Sequence, residues 1–375
     1  MKVRYLAIVM CFFALMCTFA IATQAVAQEP VDIPANTWVQ KNPTETTYPP
    51  GFNGGFGYRA WGRMVYRPIN QSILFYEGYG DGGPRGSTIY ANTLYEWQVH
   101  EDKLTGVKIS NWGIGPPDYP LPENDTDPTP ANRHTYRGFE YVPTQDAVYL
   151  VGGANSRTPG LDLKSLWKYS FLDNSWVKLS QPGNSGYEGH LNFVSTTNSL
   201  YWMVSSKVWK FDLGSDTWGQ ISVPSPAFWK SSSTVDTKRN VIIFFGGDGT
   251  RDLRTFNPTT NTFKTISTHP SISEGRIAYN SKWDVYIVVG TANPETWIYH
   301  LTTNQWEKLE VPSKPPVFHN EYETIGYVTY DKANDLVVIF GYRNYWVIRY
   351  VPSDVPPDPA ASPTPPTRLR VLSVK

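Results

Sequence analysis

The chain has 375 residues, of which 40% are hydrophobic and 18% are charged, as in an ordinary soluble globular protein. Its 33 lysines and arginines balance 33 aspartates and glutamates without any long basic run, so non-specific binding to nucleic acid is disfavoured. The 14 tryptophans, 24 tyrosines and 17 phenylalanines, together with 29 glycines and 31 prolines, favour an all-β chain rich in turns.

The first 27 residues have the layout of a secretory signal peptide. Lys2 and Arg4 form a positively charged start, residues 5–22 are mostly apolar, and Ala-Val-Ala at residues 25–27 is a small-residue cleavage site. The alternative is an uncleaved membrane anchor, because these 18 apolar-leaning residues approach the length of a membrane span. The cleavage site favours the signal peptide. We therefore expect a secreted or periplasmic protein with no membrane span after cleavage.

A hairpin pattern recurs four times in the chain. Residues 166–180 read LWKYSFLDNSWVKLS, an alternating run around a polar turn that is typical of a β-hairpin. The pattern returns at residues 208–222, 253–267 and 296–310, and its first marked positions (Trp167, Trp209, Arg254 and Trp297) lie 42, 45 and 43 residues apart. A period of about 40–50 residues made only of strands predicts radially repeated four-stranded blades.

Another pair of strands is predicted in each of six repeats. The predicted pairs are 63–66 with 72–76, 138–142 with 147–151, 190–194 with 199–204, 232–235 with 241–245, 276–279 with 285–289, and 325–329 with 336–340. The second strand of each pair is almost wholly apolar, as expected for a strand covered on both faces. Glycines follow most of these strands, notably Gly152-Gly153 and Gly246-Gly247, and permit a sharp turn or a close approach of the backbone.

The apolar strand, the Gly-Gly pair and the two aromatic residues around a polar turn resemble the kelch repeat of β-propellers. The resemblance covers about residues 58–352 and implies an all-β, six-bladed propeller like the central domain of the galactose-oxidase-like superfamily. The repeats depart from the pattern in places: Gly-Gly is intact only twice, and the first repeat reads VHEDKLTGVKIS without the final Trp. The copper-radical enzymes of that superfamily require a Tyr–Cys cross-link. Here Cys11 and Cys17 both lie in the predicted signal peptide, which disfavours such a site.

The sixth repeat lacks a fourth strand, because a proline-rich segment follows residues 345–351. Near the N-terminus, residues 35–41 (ANTWVQK) resemble residues 174–178 (NSWVK) of the second repeat. We therefore predict that an N-terminal strand completes the sixth blade and removes the open edges of the ring. The alternative is an extension packed on the outside. The predicted organisation is a signal peptide (1–27), a propeller (28–352) and a Pro-rich C-terminal tail (353–375).

Candidate ligand-binding residues lie near the starts of the predicted innermost strands. These starts share a face with the blade-to-blade connectors and the loops between second and third strands, of which 78–93, 111–134 and 152–165 are long. The candidates are Arg59, Trp61, Arg63, His134, Arg137, His190, Trp229, Lys230, Arg276 and His319. Guanidinium groups suit carboxylates and indole rings suit sugar faces, so a saccharide or an acidic sugar is the expected ligand. The alternative is a water-filled channel lined by structural ion pairs.

Catalysis has weaker support in the sequence. Glu188, Glu274 and Glu321 are candidate carboxylates for acid–base sugar chemistry, but the sequence does not give their separation. No metal is expected, because His134, His190 and His319 come from different repeats without close ligand spacing. The leading prediction is a monomeric recognition module for a glycan or an extracellular protein, with no cofactor and no nucleic acid. The alternatives are a carbohydrate-active enzyme (hydrolase, lyase or epimerase) and a purely structural extracellular module.

Overall fold

The structure is a computed structural model that describes residues 32–45, 63–77, 92–110, 129–130, 133–134, 136–155, 165–183, 189–224, 226, 228–291, 293–313, 315, 325–341 and 344–355. The chain divides into two compact units, Met1–Asp32 and Ile33–Lys375. The predicted signal peptide and tail residues 356–375 lie outside the described residues. Among the residues described, no helix is both long enough and apolar enough to cross a membrane.

The unit Ile33–Lys375 is an all-β, six-bladed propeller, which confirms the predicted fold class. Its described strands are β1 (Val39–Lys41), β2 (Thr44–Glu45), β3 (Met64–Arg67), β4 (Ser72–Glu77), β5 (Asn92–Gln98), β6 (Lys103–Ser110), β7 (Arg133–His134), β8 (Phe139–Val142), β9 (Ala147–Val151), β10 (Ala154–Asn155), β11 (Leu166–Ser170), β12 (Ser175–Leu179), β13 (His190–Val194), β14 (Ser199–Val204), β15 (Lys207–Asp212), β16 (Thr217–Ile221), β17 (Ser232–Asp236), β18 (Val241–Phe245), β19 (Asp252–Asn257), β20 (Thr262–Thr268), β21 (Gly275–Asn280), β22 (Val285–Gly290), β23 (Thr296–His300), β24 (Gln305–Leu309), β25 (Ile325–Asp331), β26 (Leu336–Gly341) and β27 (Asn344–Ile348). Two 3₁₀ turns, Pro143–Gln145 and Ser195–Thr197, join the first two strands of blades 2 and 3.

Each blade is a four-stranded antiparallel unit whose first strand is innermost, except that the N-terminal β1 supplies the outer strand of blade 6. The blades are β3-β4-β5-β6, β8-β9-β11-β12, β13-β14-β15-β16, β17-β18-β19-β20, β21-β22-β23-β24 and β25-β26-β27-β1. The innermost strands contact their neighbours in the order β3, β8, β13, β17, β21, β25 and back to β3, which closes the ring. We call the face where these strands begin the mouth face, and the opposite face the far face. Two short pairings extend this plan: β2 lies parallel to β6, and β7 pairs with β10.

The N-terminal segment closes blade 6, as predicted. Strand β1 pairs antiparallel with β27, with Val39 opposite Val347. Just before it, Trp38 is only 2% exposed, and its indole nitrogen donates to Oγ1 of Thr296 in blade 5 at 2.9 Å. Asn36 is also held, because its side chain both donates to and accepts from the backbone of Val351. The external-packing alternative is therefore wrong.

The hydrophobic core lies between neighbouring blades. All five side chains of β9 are buried, because one set packs toward blade 1 and the alternate set toward blade 3. Leu74 of blade 1 thus shares a cluster with Phe139 and Leu150 of blade 2. Trp167 and Trp176 belong to the same cluster, so these repeated tryptophans pack the blades. Burial of each large apolar side chain contributes about 1.5–3 kcal/mol, which explains why apolar strands recur at this period.

Candidate functional site

Four of the predicted ligand-binding residues form one group at the mouth face. Arg63 directly precedes β3, and Arg137 lies two residues before β8. His190 begins β13, and Arg276 is the second residue of β21. The positive charges of Arg137, Arg63 and Arg276 all act on the imidazole of His190. Blades 1, 2, 3 and 5 therefore bring these side chains toward one another around the central channel.

Arg63 joins three blades through its guanidinium group. Its Nη2 lies 2.9 Å from Oε2 of Glu140 on β8 and 3.1 Å from Oδ1 of Asn192 on β13. Its Nη1 donates to the carbonyl oxygen of Leu191. A planar guanidinium presents five donors in a fixed geometry. One side chain from blade 1 is thereby fixed to blades 2 and 3 together.

A chain of polar contacts continues from Asn192 to blade 4. Oγ of Ser233 lies 3.2 Å from Oδ1 of Asn192 and 3.0 Å from Nδ1 of His190, both within hydrogen-bonding distance. The other ring nitrogen of His190 lies 2.9 Å from Oγ of Ser231, which donates to the carbonyl oxygen of Phe228 at 2.8 Å. Nδ2 of Asn192 is buried and has no hydrogen-bond partner among the described residues. Asn192 is therefore held through its carbonyl oxygen alone.

His190 is neutral in the folded protein. Its pKa lies well below the ordinary value, first because burial disfavours the charged ring and then because Arg137 and Arg63 repel another positive charge. The contacts fit a ring that donates from Nε2 to Ser231, whose own proton goes to Phe228, while the single hydroxyl proton of Ser233 is shared between Nδ1 of His190 and Oδ1 of Asn192. Both ring nitrogens are thus engaged by hydroxyl groups. The described residues also contain no group of three or more His, Cys, Asp or Glu side chains that could hold a metal ion.

Glu140 is the carboxylate that holds Arg63 in this cluster. It is 8% exposed and accepts the backbone N–H of Tyr141 at 2.9 Å. Burial raises the pKa of Glu140, while the Arg63 guanidinium and the backbone N–H donors oppose part of that rise. Removing one partner of such a buried pair leaves an uncompensated buried charge, so we expect Glu140 and Arg63 to act as a unit.

Trp229 and Lys230 form an exposed tip on the mouth face. The backbone N–H of Ser231 donates to the carbonyl of Phe228 at 3.2 Å, which closes a turn in which Lys230 has a φ of 56°. Trp229 is 44% exposed, which is unusual for so large a side chain. Nζ of Lys230 lies 3.5 Å from Oε1 of Glu274. This pair links two connectors, but it is solvent-exposed and therefore contributes little to the stability of the fold.

A cleft of about 300 Å³ lies beside Glu274. One wall is the connector at residues 271–274, which leads into β21. The other wall is the loop between β22 and β23, including Thr291 and Glu295. Both segments belong to the mouth face. The cleft is therefore on the same side of the ring as the Arg63 cluster.

Only part of the predicted site can be placed. The candidates Arg59, Trp61, Glu188, His319 and Glu321 lie outside the described residues, as do most of the three long loops. His134 belongs to β7 and pairs with Ala154 of β10 through the backbone, but its side chain is not described. Of the three candidate carboxylates, Glu274 alone is placed, on the rim beside Lys230.

Four polar residues of this cluster were not among the predicted site residues: Glu140, Asn192, Ser231 and Ser233. A usable signal was present for two of them. Glu140 interrupts the apolar run Phe-Glu-Tyr-Val of β8, and Asn192 interrupts His-Leu-Asn-Phe-Val of β13. A buried polar group requires a hydrogen-bonding partner, so polar residues in buried innermost strands mark places where such a network must exist.

No protein-family model matches the chain, and no curated protein has a significantly similar sequence.

Proposed function

We propose that this protein is an exported, kelch-type propeller that acts as a recognition module, and that it binds a carboxylate-bearing saccharide at the mouth of its channel. One observation carries the proposal: Arg63, Arg137 and Arg276 lie at the starts of the innermost strands of three blades, and the backbone of Arg137 forms a β-bridge with His190. An anion placed among these arginines is attracted from several blades at once. The neutral imidazole beside them is engaged by Ser231 and Ser233, so the attraction for an anion comes from the arginines.

The kelch-type assignment is supported by the two Gly-Gly pairs. Gly152-Gly153 and Gly246-Gly247 directly follow the second strands of blades 2 and 4. All four glycines have positive φ values, between 67° and 97°, which other residues adopt only at a cost. Export is supported by the signal-like layout of residues 1–27 and by the restriction of both cysteines to that segment.

The rigidity of the cluster supports binding of a small ligand. Arg63 is fixed by Glu140, Leu191 and Asn192 before any ligand arrives. Side chains that are already ordered lose less conformational entropy on binding, so a preformed cluster gives more affinity for the same contacts. The half-exposed indole of Trp229 on the same face offers an apolar surface of the kind on which sugar rings stack. We therefore favour a saccharide over an inorganic anion.

A carbohydrate-active enzyme is the second candidate, and one observation favours it. Burial raises the pKa of Glu140, which is a property of catalytic general acids. In the present contacts, however, Glu140 accepts hydrogen bonds from Arg63 and from the backbone of Tyr141. A carboxylate engaged in this way supports the neighbouring arginine, so binding without turnover is the leading proposal.

The proposal is tested by titration calorimetry of the full chain with galacturonate and with galactose, which differ in the carboxylate. We expect galacturonate to bind at least about tenfold more tightly, because a charge-assisted contact contributes 1.5–3 kcal/mol. Arg276→Ala should remove most of this preference, whereas Lys264→Ala, a charge removal on an exposed position of outer strand β20, should not. Equal affinity for both sugars would refute the anion site.

Two further readouts separate the alternatives. Chromatography of the recovered sugars detects any conversion, including an epimerisation that leaves the mass unchanged. Conversion that disappears in Glu140→Gln would make the protein an enzyme. If neither sugar binds nor changes, the saccharide site is refuted, and the mouth-face loops become the surface to map for an extracellular protein partner.

A further inference from the structure

We infer that the binding site extends from the channel mouth across blades 4 and 5, so that the ligand is an oligosaccharide rather than a single sugar. This inference rests on the proposed function. It adds a second subsite, formed by the Trp229 tip at one end and by the cleft beside Glu274 at the other. We call the surface from Trp229 to the cleft the strip.

The strip is continuous because two glycines let the connectors approach each other. A Cβ atom at Gly246 would lie 2.3 Å from the carbonyl oxygen of Ser273, and one at Gly247 would lie 2.8 Å from the carbonyl oxygen of Trp229. The N–H of Asp248 also donates to that Trp229 carbonyl at 3.1 Å. The Gly246-Gly247 loop therefore packs directly between the exposed tip and the wall of the cleft.

The cleft is held in shape by contacts behind its surface. Oε1 of Glu295 lies 2.7 Å from Nζ of Lys308, and its Oε2 accepts the indole N–H of Trp297 at 3.2 Å. Thr291 is 3% exposed, and both its backbone N–H and its hydroxyl contact the carbonyl oxygen of Glu274, at 3.2 and 3.3 Å. The two walls are thus tied together from below. A volume of about 300 Å³ lies at the lower end of the range for small-molecule sites, which fits one sugar unit rather than a large ligand.

The groups along the strip are those that recognise a sugar ring. Glu274, Asn293 and Glu295 line the cleft, and side chains of these types form hydrogen bonds with hydroxyl groups. Lys308 already compensates the charge of Glu295, so the cleft does not require a cation. Trp229 offers an exposed aromatic face at the other end, and aromatic faces pack against the apolar face of a pyranose. Lys230 likewise compensates the charge of Glu274, so neither carboxylate of the cleft is left without a cation.

The test compares galacturonate with its di- and trisaccharide in titrations of the full chain. We expect the trisaccharide to bind about three- to tenfold more tightly than the monosaccharide, the gain expected from one aromatic stacking contact. Trp229→Ala and Asn293→Ala should each remove this gain, and Asn293→Ala, which lies in the cleft alone, should leave the affinity for the monosaccharide unchanged. Leu172→Ala removes a side chain that is 89% exposed on the far face, and it should alter neither affinity.

The failures of the two proposals are distinguishable. If the monosaccharide binds but longer chains bind no more tightly, the second subsite is refuted and the anion site stands. The second subsite is also refuted if Trp229→Ala and Asn293→Ala both still bind the trisaccharide more tightly than the monosaccharide. If neither the monosaccharide nor the oligosaccharides bind the wild-type chain, the proposed function fails and the second subsite fails with it. Circular dichroism of each variant confirms that the propeller is folded.

Discussion

Nη2 of Arg67 in blade 1 lies 2.7 Å from Oδ2 of Asp146 in blade 2, and this ion pair ties the two blades together on the far face. Asp146 adopts a left-handed φ of 42° and accepts the hydroxyl of Tyr141, five residues earlier, at 2.8 Å. The same basic-to-aspartate contact joins two other blade junctions, through Arg239 with Asp284 and through Lys282 with Asp335. The far face is therefore held by repeated ion pairs, while the mouth face carries the candidate site.

We expect Arg67→Ala to destabilise the protein by about 3 kcal/mol, because it leaves Asp146 and Glu96 without their cation in a largely buried setting. The guanidinium also lies 3.7 Å from the ring centre of Phe171, so a cation–π contact is lost as well. Urea denaturation measures the difference. The control is Lys238→Ala: Lys238 contacts Asp284 at 2.6 Å, but 63% of its side chain is exposed. That change should cost under about 1 kcal/mol. Equal losses in the two variants would show that the Arg67 contact is no stronger than a surface pair.

Three matched glycine substitutions separate the cost of a left-handed backbone from the cost of crowding at the Gly-Gly pair of blade 4. Gly246 has a φ of 68° and Gly249 a φ of 73°, but only Gly246 is crowded, by the carbonyl oxygen of Ser273. Gly249→Ala should therefore cost about 1–2 kcal/mol, the cost of a left-handed conformation alone. Gly246→Ala should cost more, by about 1–3 kcal/mol for the added overlap. Gly219→Ala meets nothing within 4 Å and should be within about 0.5 kcal/mol of the wild type. Equal losses of stability in Gly246→Ala and Gly249→Ala would show that the carbonyl group of Ser273 can shift to make room at no cost.

The fold was predictable from the sequence to a much greater extent than the site. Apolar strands and tryptophans recur at a fixed spacing because every blade needs the same local packing, and Trp38 repeats the role of Trp176 closely enough to reveal the closing strand. Arg63 was recognisable as a candidate, but its acceptor Asn192 lies 129 residues away, two blades further round the ring. No periodicity indicates which polar residues face each other across a channel. The cleft at Glu274 could not be predicted from the sequence either, because it depends on how two loops of different length pack together.

His269 adds a titratable group outside the candidate site. It is 1% exposed, and its ring centre lies 4.6 Å from that of Trp297 and 4.5 Å from that of Trp306. Its Nδ1 accepts the backbone N–H groups of Ser271 and Ile272, which helps to shape the connector at the cleft. Burial lowers the pKa of His269 to about 4, and the charge of Arg251 contributes to this shift.

We predict that the free energy of unfolding falls as the pH drops below about 6.5. The unfolded chain protonates its histidines near pH 6.5, whereas folded His269 stays neutral until about pH 4, so between these values the unfolded state binds more protons. This contribution is fully present above pH 6.5 and is lost toward pH 4, at up to about 1.4 kcal/mol per pH unit. His190, whose pKa is also lowered, acts in the same direction. Urea denaturation at pH 7, 6 and 5 measures the slope. His269→Gln keeps an acceptor for the two N–H groups and should flatten the slope, so an identical slope in this variant would assign the pH dependence elsewhere.

The N-terminal segment closes the ring through the pairing of β1 with β27, and Trp38 anchors this closure. Trp38 packs in the cluster shared by blades 5 and 6, donates to Thr296, and has its carbonyl oxygen bound by the hydroxyl of Ser313 at 2.6 Å. Trp38→Ala should therefore destabilise the protein by about 3–5 kcal/mol, as for a large buried side chain, and should loosen β1 from β27. Val177 lies on outer strand β12 and is 49% exposed, so Val177→Ala should change the free energy of unfolding by less than about 0.5 kcal/mol. Hydrogen exchange gives the decisive readout, because the amides of β27 should lose protection in Trp38→Ala while those of β16 in blade 3 keep theirs. Uniform loss across all blades would instead mean that the six blades unfold as one unit once the closure is weakened.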